Sequence, residues 1–444
     1  MPDLAAISDS LGAECLGAVF VRTSTGTFRT VAATATAIFE LNNTDYSWTD
    51  ISGPSAPYSA SERWSFTRFG DMLLIHNISD PIQKYDINAG GAVSDLGGSP
   101  PQAKYSCVVG DFVVLGNLSG AETTVHWSGY NDCEHWTVGD KGSDTQEIPE
   151  GGEIFSIFGD RGGFYVIQRA GMQYFSFALD SPYIFTRTVI NPNQGAVSPR
   201  SVVNIGNGRF YYLSEDGFFA GADRTPIGAE RVDKWILSVI DPAYLDDVSG
   251  AADPYEKIVW WVYQTATGLR NMIGYDWQLD RWCMSDKAVS DVFPLVTIGM
   301  TWDALDDLYA SIDGVDLPFD SRLFMGGRPT LAAFDTDNKL AFFTGANLEA
   351  TFDTSFFQPD DAVRASVTSA RLTTDASAAT VTVISKSYHG DADRYSREGA
   401  MTSSGIIPLR ADGRLHKIRA TIPAQSAWTI MSDVDVSVVA SGGR

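Results

Sequence analysis

The stretch Val108-Val109-Gly110-Asp111-Phe112-Val113-Val114-Leu115 reads as two short apolar strands joined by a two-residue turn. Glycine reaches the positive φ that a tight hairpin needs, and aspartate can bond its own backbone to start the turn. The same arrangement recurs on both sides. Upstream, Gly70-Asp71 separates Trp64-Ser65-Phe66 from Met72-Leu73-Leu74-Ile75, and Gly26 separates Val19-Phe20-Val21 from Phe28-Arg29-Thr30-Val31. Downstream, Gly159-Asp160 precedes Phe164-Tyr165-Val166-Ile167, and Gly206-Asn207-Gly208 precedes Phe210-Tyr211-Tyr212-Leu213. Asp253-Pro254 precedes Ile258-Val259-Trp260-Trp261, and a weaker turn around Ala304 precedes Leu308-Tyr309-Ala310. The turns near 26, 70, 110, 159, 206, 255 and 304 are spaced by 44, 40, 49, 47, 49 and 49 residues.

A period of about 47 residues with several short strands per unit fits a β-propeller blade better than a helical solenoid. Each blade buries both faces against its neighbours, and closing the ring protects most sheet edges. Seven units are counted, and six to eight blades fit the uneven spacing. A second pattern supports the register: Tyr85-Asp86, Tyr130-Asn131 with Trp136, and Tyr275-Asp276 with Trp282. The Asp or Asn starts a turn and the aromatic packs between blades. A large sandwich, or two smaller β domains with accidental spacing, is the alternative.

Composition divides the chain. Residues 339–444 hold 11 basic and 11 acidic residues, so the whole formal charge of −23 falls in residues 1–338. Ten of the 11 tryptophans precede residue 339, leaving only Trp428 beyond it. Two shifts at one place predict a boundary near 339–355, with residues 356–361 as part of the connection. Beyond it, Ala362–Val367, Ala379–Ile384, Ile406–Arg414 and Val434–Val439 read as strands of a β-sandwich. The expected organisation is an N-terminal arm (1–14), a β-propeller (15–338) and a C-terminal β-sandwich domain (339–444): an all-β protein.

The acidity argues against a protein that grips phosphates with a basic stripe, and against docking on anionic membranes. No run approaches 18 apolar residues, so no transmembrane helix is expected. The N-terminus lacks the basic start and apolar run of a signal peptide. Four widely spaced cysteines, Cys15, Cys107, Cys133 and Cys283, read as reduced thiols, which fits synthesis in a reducing cytoplasm.

No chemistry stands out. The five histidines are His76, His126, His135, His389 and His416, and none sits in a zinc signature. His126, Cys133 and His135 could converge on a metal only with a fourth ligand that the spacing does not supply. Asp303, Asp306 and Asp307; Asp335 and Asp337; Asp391 and Asp393; and Asp433 and Asp435 read as solvated acidic turns, because none has an EF-hand frame. Ser214-Glu215-Asp216-Gly217-Phe218 departs from the sialidase Asp-box at its acidic position and its tryptophan. No catalytic, metal-binding or cofactor-binding residue is therefore assigned, and no enzyme activity is expected.

One succession does carry a likeness. Phe210-Tyr211-Tyr212-Leu213-Ser214-Glu215-Asp216-Gly217-Phe218-Phe219 is followed by Pro226-Ile227-Gly228, Arg231-Val232, Ile258-Val259-Trp260-Trp261, and Ile273-Gly274-Tyr275-Asp276 through Arg281-Trp282. It resembles the DNA-stabilisation, or tail-nozzle, proteins of short-tailed bacteriophages. The closing Pro408–Arg414 segment, Trp428 and Asp433-Val434-Asp435-Val436 resemble the end of related virion proteins. The resemblance implies a non-enzymatic ring, commonly a hexamer, at the far end of the tail tube, which retains packaged DNA and gives it an exit path. It implies virion localisation after assembly in the host cytoplasm. Partners would be an adaptor ring, a plug or needle, fibres or spikes, and passing double-stranded DNA. Net acidity suits a conduit, since a carboxylate wall repels phosphate and leaves the duplex free to slide. The rival functions are a propeller glycosidase or depolymerase acting on surface polysaccharide, and a non-catalytic receptor-binding phage module.

Overall fold

A computed structural model describes residues 1–26, 28–178, 183–296, 329–359 and 364–441. Strands make up 53% of it and helix 5%, which makes the protein all-β. It divides into two compact units: Ala5–Phe342, and Met1–Leu4 together with Phe343–Arg444.

The larger unit is propeller-like. Six four-stranded sheets follow one another along the chain, with first strands Gly17–Arg22, Ser65–Phe69, Ala103–Val109, Ile154–Asp160, Val203–Gly206 and Ser249–Asp253. The seventh sheet combines Asp291–Val296, Pro329–Phe334 and Lys339–Asn347 with Pro2–Ser10. The first strand of the seventh sheet lies beside those of the first and the sixth, and neighbouring first strands also meet between sheets one and two, two and three, three and four, and five and six. Between sheets four and five, the contact runs through the 3-10 turn Pro199–Ser201 that leads into the fifth sheet. The seven first strands therefore encircle one axis.

Second strands explain the long apolar runs. All seven residues of Phe112–Leu118 are buried, as are the central five of Ile258–Gln264. A strand covered by neighbouring sheets on both faces has no solvent side, so alternation disappears. The apolar clusters accordingly span adjacent sheets: Val31, Tyr58, Trp64, Leu73 and Tyr85 share one, and Leu213, Phe218, Trp261 and Tyr275 another.

Most of the recurring turns are the first hairpin of their sheet. Gly70 (φ 58°) and Gly110 (φ 56°) occupy the first central position of two-residue turns. A Cβ would meet nothing within 4 Å at either, so backbone conformation rather than space selects glycine there. In the fifth sheet Asn207 and Gly208 both have positive φ (56° and 70°), the type I′ pattern. In the fourth sheet the pairing runs on to Asp160↔Gly163, so the turn is Arg161-Gly162 and Gly159-Asp160 lies within the strand. The turn read near Ala304, with Leu308-Tyr309-Ala310, lies outside the described residues.

The Tyr-Asp pattern holds at two of its three places. Asp86 Oδ1 accepts from the backbone N–H of Asn88 and Ala89, and Asp276 Oδ1 from Gln278 and Leu279. Tyr85 is buried, and its hydroxyl donates to Glu40 in the preceding sheet at 2.8 Å. Tyr275 packs on Tyr211, likewise of the preceding sheet, with ring centroids 5.7 Å apart. Tyr130 differs: it is 60% exposed and lies outside any strand, beside Phe112, and there the aromatic between sheets is Trp136, buried in one cluster with Leu74, Ile82 and Leu115.

The first residues do not form a free arm. Pro2–Ser10 is the outer strand of the seventh sheet, beside Lys339–Asn347. Leu340 N–H donates to Ser8 Oγ at 2.9 Å and Leu11 N–H to the Asn338 carbonyl at 3.0 Å. The division between units falls after Phe342, inside the expected 339–355 and four residues beyond the end given to the propeller at 338.

The smaller unit is a β-sandwich. One sheet has the order Ala350–Asp353, Leu415–Ile422, Thr380–Lys386, Arg394–Tyr395, with Gly399–Ala400 also pairing to Thr380–Lys386. The other places Ala365–Thr374 between Ile406–Gly413 and Met431–Ala440. Buried residues alternate along Leu415–Ile422, and Val367, Val381, Val383, Ile407, Ile418 and Ile422 form the core between the sheets. Phe357 bridges to His416 within this unit, so the expected connection is partly sandwich; Asp360 and Asp361 lie outside the described residues.

Candidate functional site

Seven strands converging on one axis bring together residues about 45 positions apart. A cavity of about 310 Å³ lies there, lined by Ala18, Phe66, Tyr105, Ser156, Gly250 and Phe293 from first strands and by Arg200 from the Pro199–Ser201 turn. Proline at the first position fixes φ where the turn begins, which aims the next residue from a short rigid segment.

Most of the charged side chains around the axis are engaged with one another. Arg63 Nη1 lies 2.8 Å from Asp291 Oδ1, off the line of a hydrogen bond, while its Nη2 donates to the Ser290 carbonyl at 2.9 Å. Lys104 Nζ lies 3.0 Å from Glu62 and 3.4 Å from Glu153. Arg200 Nη2 donates to the Trp64 carbonyl at 3.0 Å. Among the described residues no carboxylate comes within ion-pair distance of Arg200. Burial first, and then Arg63, push its pKa down to about 10, which leaves it cationic at neutral pH. Burial also raises the Tyr105 hydroxyl.

Ser106 also lines the cavity. Its hydroxyl lies 2.6 Å from His76 Nε2 and 2.6 Å from Thr67 Oγ1, and His76 Nδ1 lies 2.8 Å from the Ala103 carbonyl. A serine at this distance from an imidazole has the reach of a nucleophile–base pair. Burial, however, pushes His76 down to about 4, and the group on Nδ1 is a carbonyl rather than a carboxylate. Such an imidazole is a weak base, and the pair serves as a polar tie between the second and third sheets.

The other residues considered from sequence have separate places. His126 packs edge-on to Trp136, with centroids 5.4 Å apart; Cys133 is buried; His135 Nε2 lies 3.1 Å from Asp140. Among the described residues no three His, Cys, Asp or Glu side chains are grouped to hold a metal. His416 is buried between Ser385 Oγ (3.0 Å) and the Ala365 carbonyl (3.1 Å), whereas His389 is exposed. Asp335 accepts from the N–H of Asp337 and Lys339. Asp391 pairs with Arg394 and Asp393 with Lys386, while Asp433 and Asp435 are exposed on one strand. Asp303, Asp306 and Asp307 lie outside the described residues. The Ser214–Phe218 segment is a hairpin whose Gly217 leaves room for Asp233; a Cβ there would fall 2.1 Å from the Asp233 carboxyl carbon. Asp233 Oδ1 accepts from Phe218 N–H and thereby ties the helix Asp233–Val239 to the hairpin.

Sequence reading missed the axis because no local motif marks it. The signal available is positional: Ala18, Phe66, Tyr105, Ser156, Arg200, Gly250 and Phe293 recur with the blade period.

No helix among the described residues is long and apolar enough to cross a membrane. No protein-family model matches the chain, and neither does any curated protein. Among solved structures it is similar to the extracellular domain of a provisionally assigned hybrid two-component system of B. thetaiotaomicron, at 11% identity and a TM-score of 0.40. That match covers 81% of this chain and 43% of the other, so the chain spans less than half of that protein. It is also similar to the computationally designed Ika8 protein, at 9% identity and a TM-score of 0.37, over 78% of this chain and 100% of the other.

Proposed function

We propose that the chain is a non-enzymatic structural protein of the distal tail tube of a short-tailed bacteriophage. In this reading several copies, six by the resemblance, form a ring that retains packaged DNA and gives it an exit path. What carries the reading is the succession from Phe210 to Trp282. Its strands fall in two adjoining sheets, the fifth and sixth, with Ile227-Gly228 and Arg231-Val232 in the segment between them and one shared core of Leu213, Phe218, Trp261 and Tyr275 packed by Trp282. The likeness thus covers one folded piece rather than scattered strings.

Charge supports it. Asp50, Asp95 and Glu147 are exposed carboxylates on outer strands of the first three sheets. Six copies would carry about −140, repelling phosphate over about 10 Å at ordinary salt. A cavity of about 310 Å³ holds a small molecule and not a duplex, so DNA would run along a lumen between copies. Adaptor, plug and fibre proteins would be its neighbours in the virion. Native mass measurement of the purified chain tests the assembly: a closed ring of about six copies is expected, and a monomer at every concentration would count against it. A ring with a basic or neutral lumen would remove the electrostatic account. The second reading, a ligand-binding module, is favoured by the axial cavity itself.

A further inference from the structure

Among the described residues, the propeller axis holds a cation, Arg200, with no carboxylate within ion-pair distance. Asp291 is taken by Arg63, and Glu62 and Glu153 share Lys104. Arg200 faces the same cavity, and among the described residues its hydrogen-bond acceptor is the Trp64 carbonyl. A guanidinium has five N–H donors in a planar fork, and one bond leaves most of them available. Asp291 and Glu62 attract the guanidinium from beyond ion-pair distance, so a carboxylate in direct contact would add the charge-assisted bonds that the fork leaves unmade.

The surroundings narrow the ligand. Phe66, Val202 and Phe293 give the cavity apolar wall, and Tyr105 and Ser156 line it beside Arg200. The volume corresponds to a molecule of about ten heavy atoms or somewhat more. The three carboxylates around the axis disfavour a dianion such as phosphate, while a single carboxylate needs only one fork. We propose that the axial cavity is a binding site for a small hydroxylated organic acid, such as a uronic acid, with its carboxylate on Arg200 and its hydroxyls facing Tyr105 and Ser156. The site lies within one chain and does not rest on the ring assembly.

Titration calorimetry of the full chain with glucuronate, glucose and inorganic phosphate tests this. Glucuronate is expected to bind one to one, with glucose and phosphate at least about tenfold weaker. Arg200→Gln should weaken glucuronate about ten- to hundredfold, the loss that follows from removing a charge-assisted hydrogen-bond pair. Tyr105→Phe keeps the ring and should weaken it about threefold or more, which decides the matter if Arg200→Gln fails to fold. No heat with glucuronate at about 10 mM, equal binding of glucose, preference for phosphate, or unchanged affinity in both variants would each overturn the proposal.

Discussion

The propeller and the sandwich are both antiparallel β structure, yet they bury their strands in different ways. In the propeller, Phe112–Leu118 is buried at every position because sheets cover both of its faces. In the sandwich, Leu415–Ile422 alternates because one face meets the core and the other meets solvent. Polar side chains follow suit. Propeller ties such as Trp64 Nε1 to the Thr34 carbonyl and Trp261 Nε1 to the Ser201 carbonyl cross from one sheet to the next. The sandwich is held at its margins by surface clasps. Arg419 and Lys417 draw Asp353 down to about 2, and Asp375 accepts from Thr429 and Ile430. Stability in the propeller is therefore a property of the ring, whereas the sandwich depends on one interface between two sheets.

The largest test of that contrast removes the strand that completes the seventh sheet. Deleting residues 1–10 strips the outer strand and the Ser8 bond to Leu340. Scanning calorimetry should show the propeller transition falling by about 10 °C or more, with a smaller shift for the sandwich. Next comes Trp261→Ala, which empties a fully buried site and drops an inter-sheet hydrogen bond. It should cost the propeller about 3–5 kcal/mol in denaturant unfolding and leave the sandwich transition in place. Simultaneous loss of both transitions would show that the two units do not unfold independently.

Acid gives a graded third test. His76 is held near 4 by burial, so between about 4 and its ordinary 6.5 the unfolded chain binds the extra proton. Stability is thus full above 6.5 and falls as pH drops toward 4, by at most about 3 kcal/mol. His416 is also lowered by burial, so the sandwich shares the direction of the decline. His76→Gln should flatten the slope of the propeller transition alone. The smallest expected effect is Gly110→Ala, which places a Cβ at φ 56° with open space around it. A loss of about 1 kcal/mol by urea unfolding is expected from backbone conformation.

The contrast also explains what could be read in advance. Turn residues announced the sheets: Gly70-Asp71, Gly110-Asp111 and Asn207-Gly208 are hairpin turns in the first, or innermost, pairing of their sheets. In the sandwich, period-two alternation was sufficient. The seventh sheet was half hidden, since the partner of Pro2–Ser10 lies more than 300 residues away and no local pattern encodes such a pairing. Arg200 was missed for a related reason: a guanidinium that faces an axial cavity becomes visible only once seven strands share an axis. Tyr130 misled because Tyr-Asn imitates Tyr85-Asp86 in sequence while its ring stands mostly in solvent.

The proposal that this chain walls a tail tube is tested most directly by electron imaging of the intact particle that carries it. Density fitted by the propeller should repeat about the tail axis at its far end, with exposed carboxylates such as Asp50 and Glu147 turned toward the lumen. Density at a fibre tip, or copies whose lumen is basic, would contradict it.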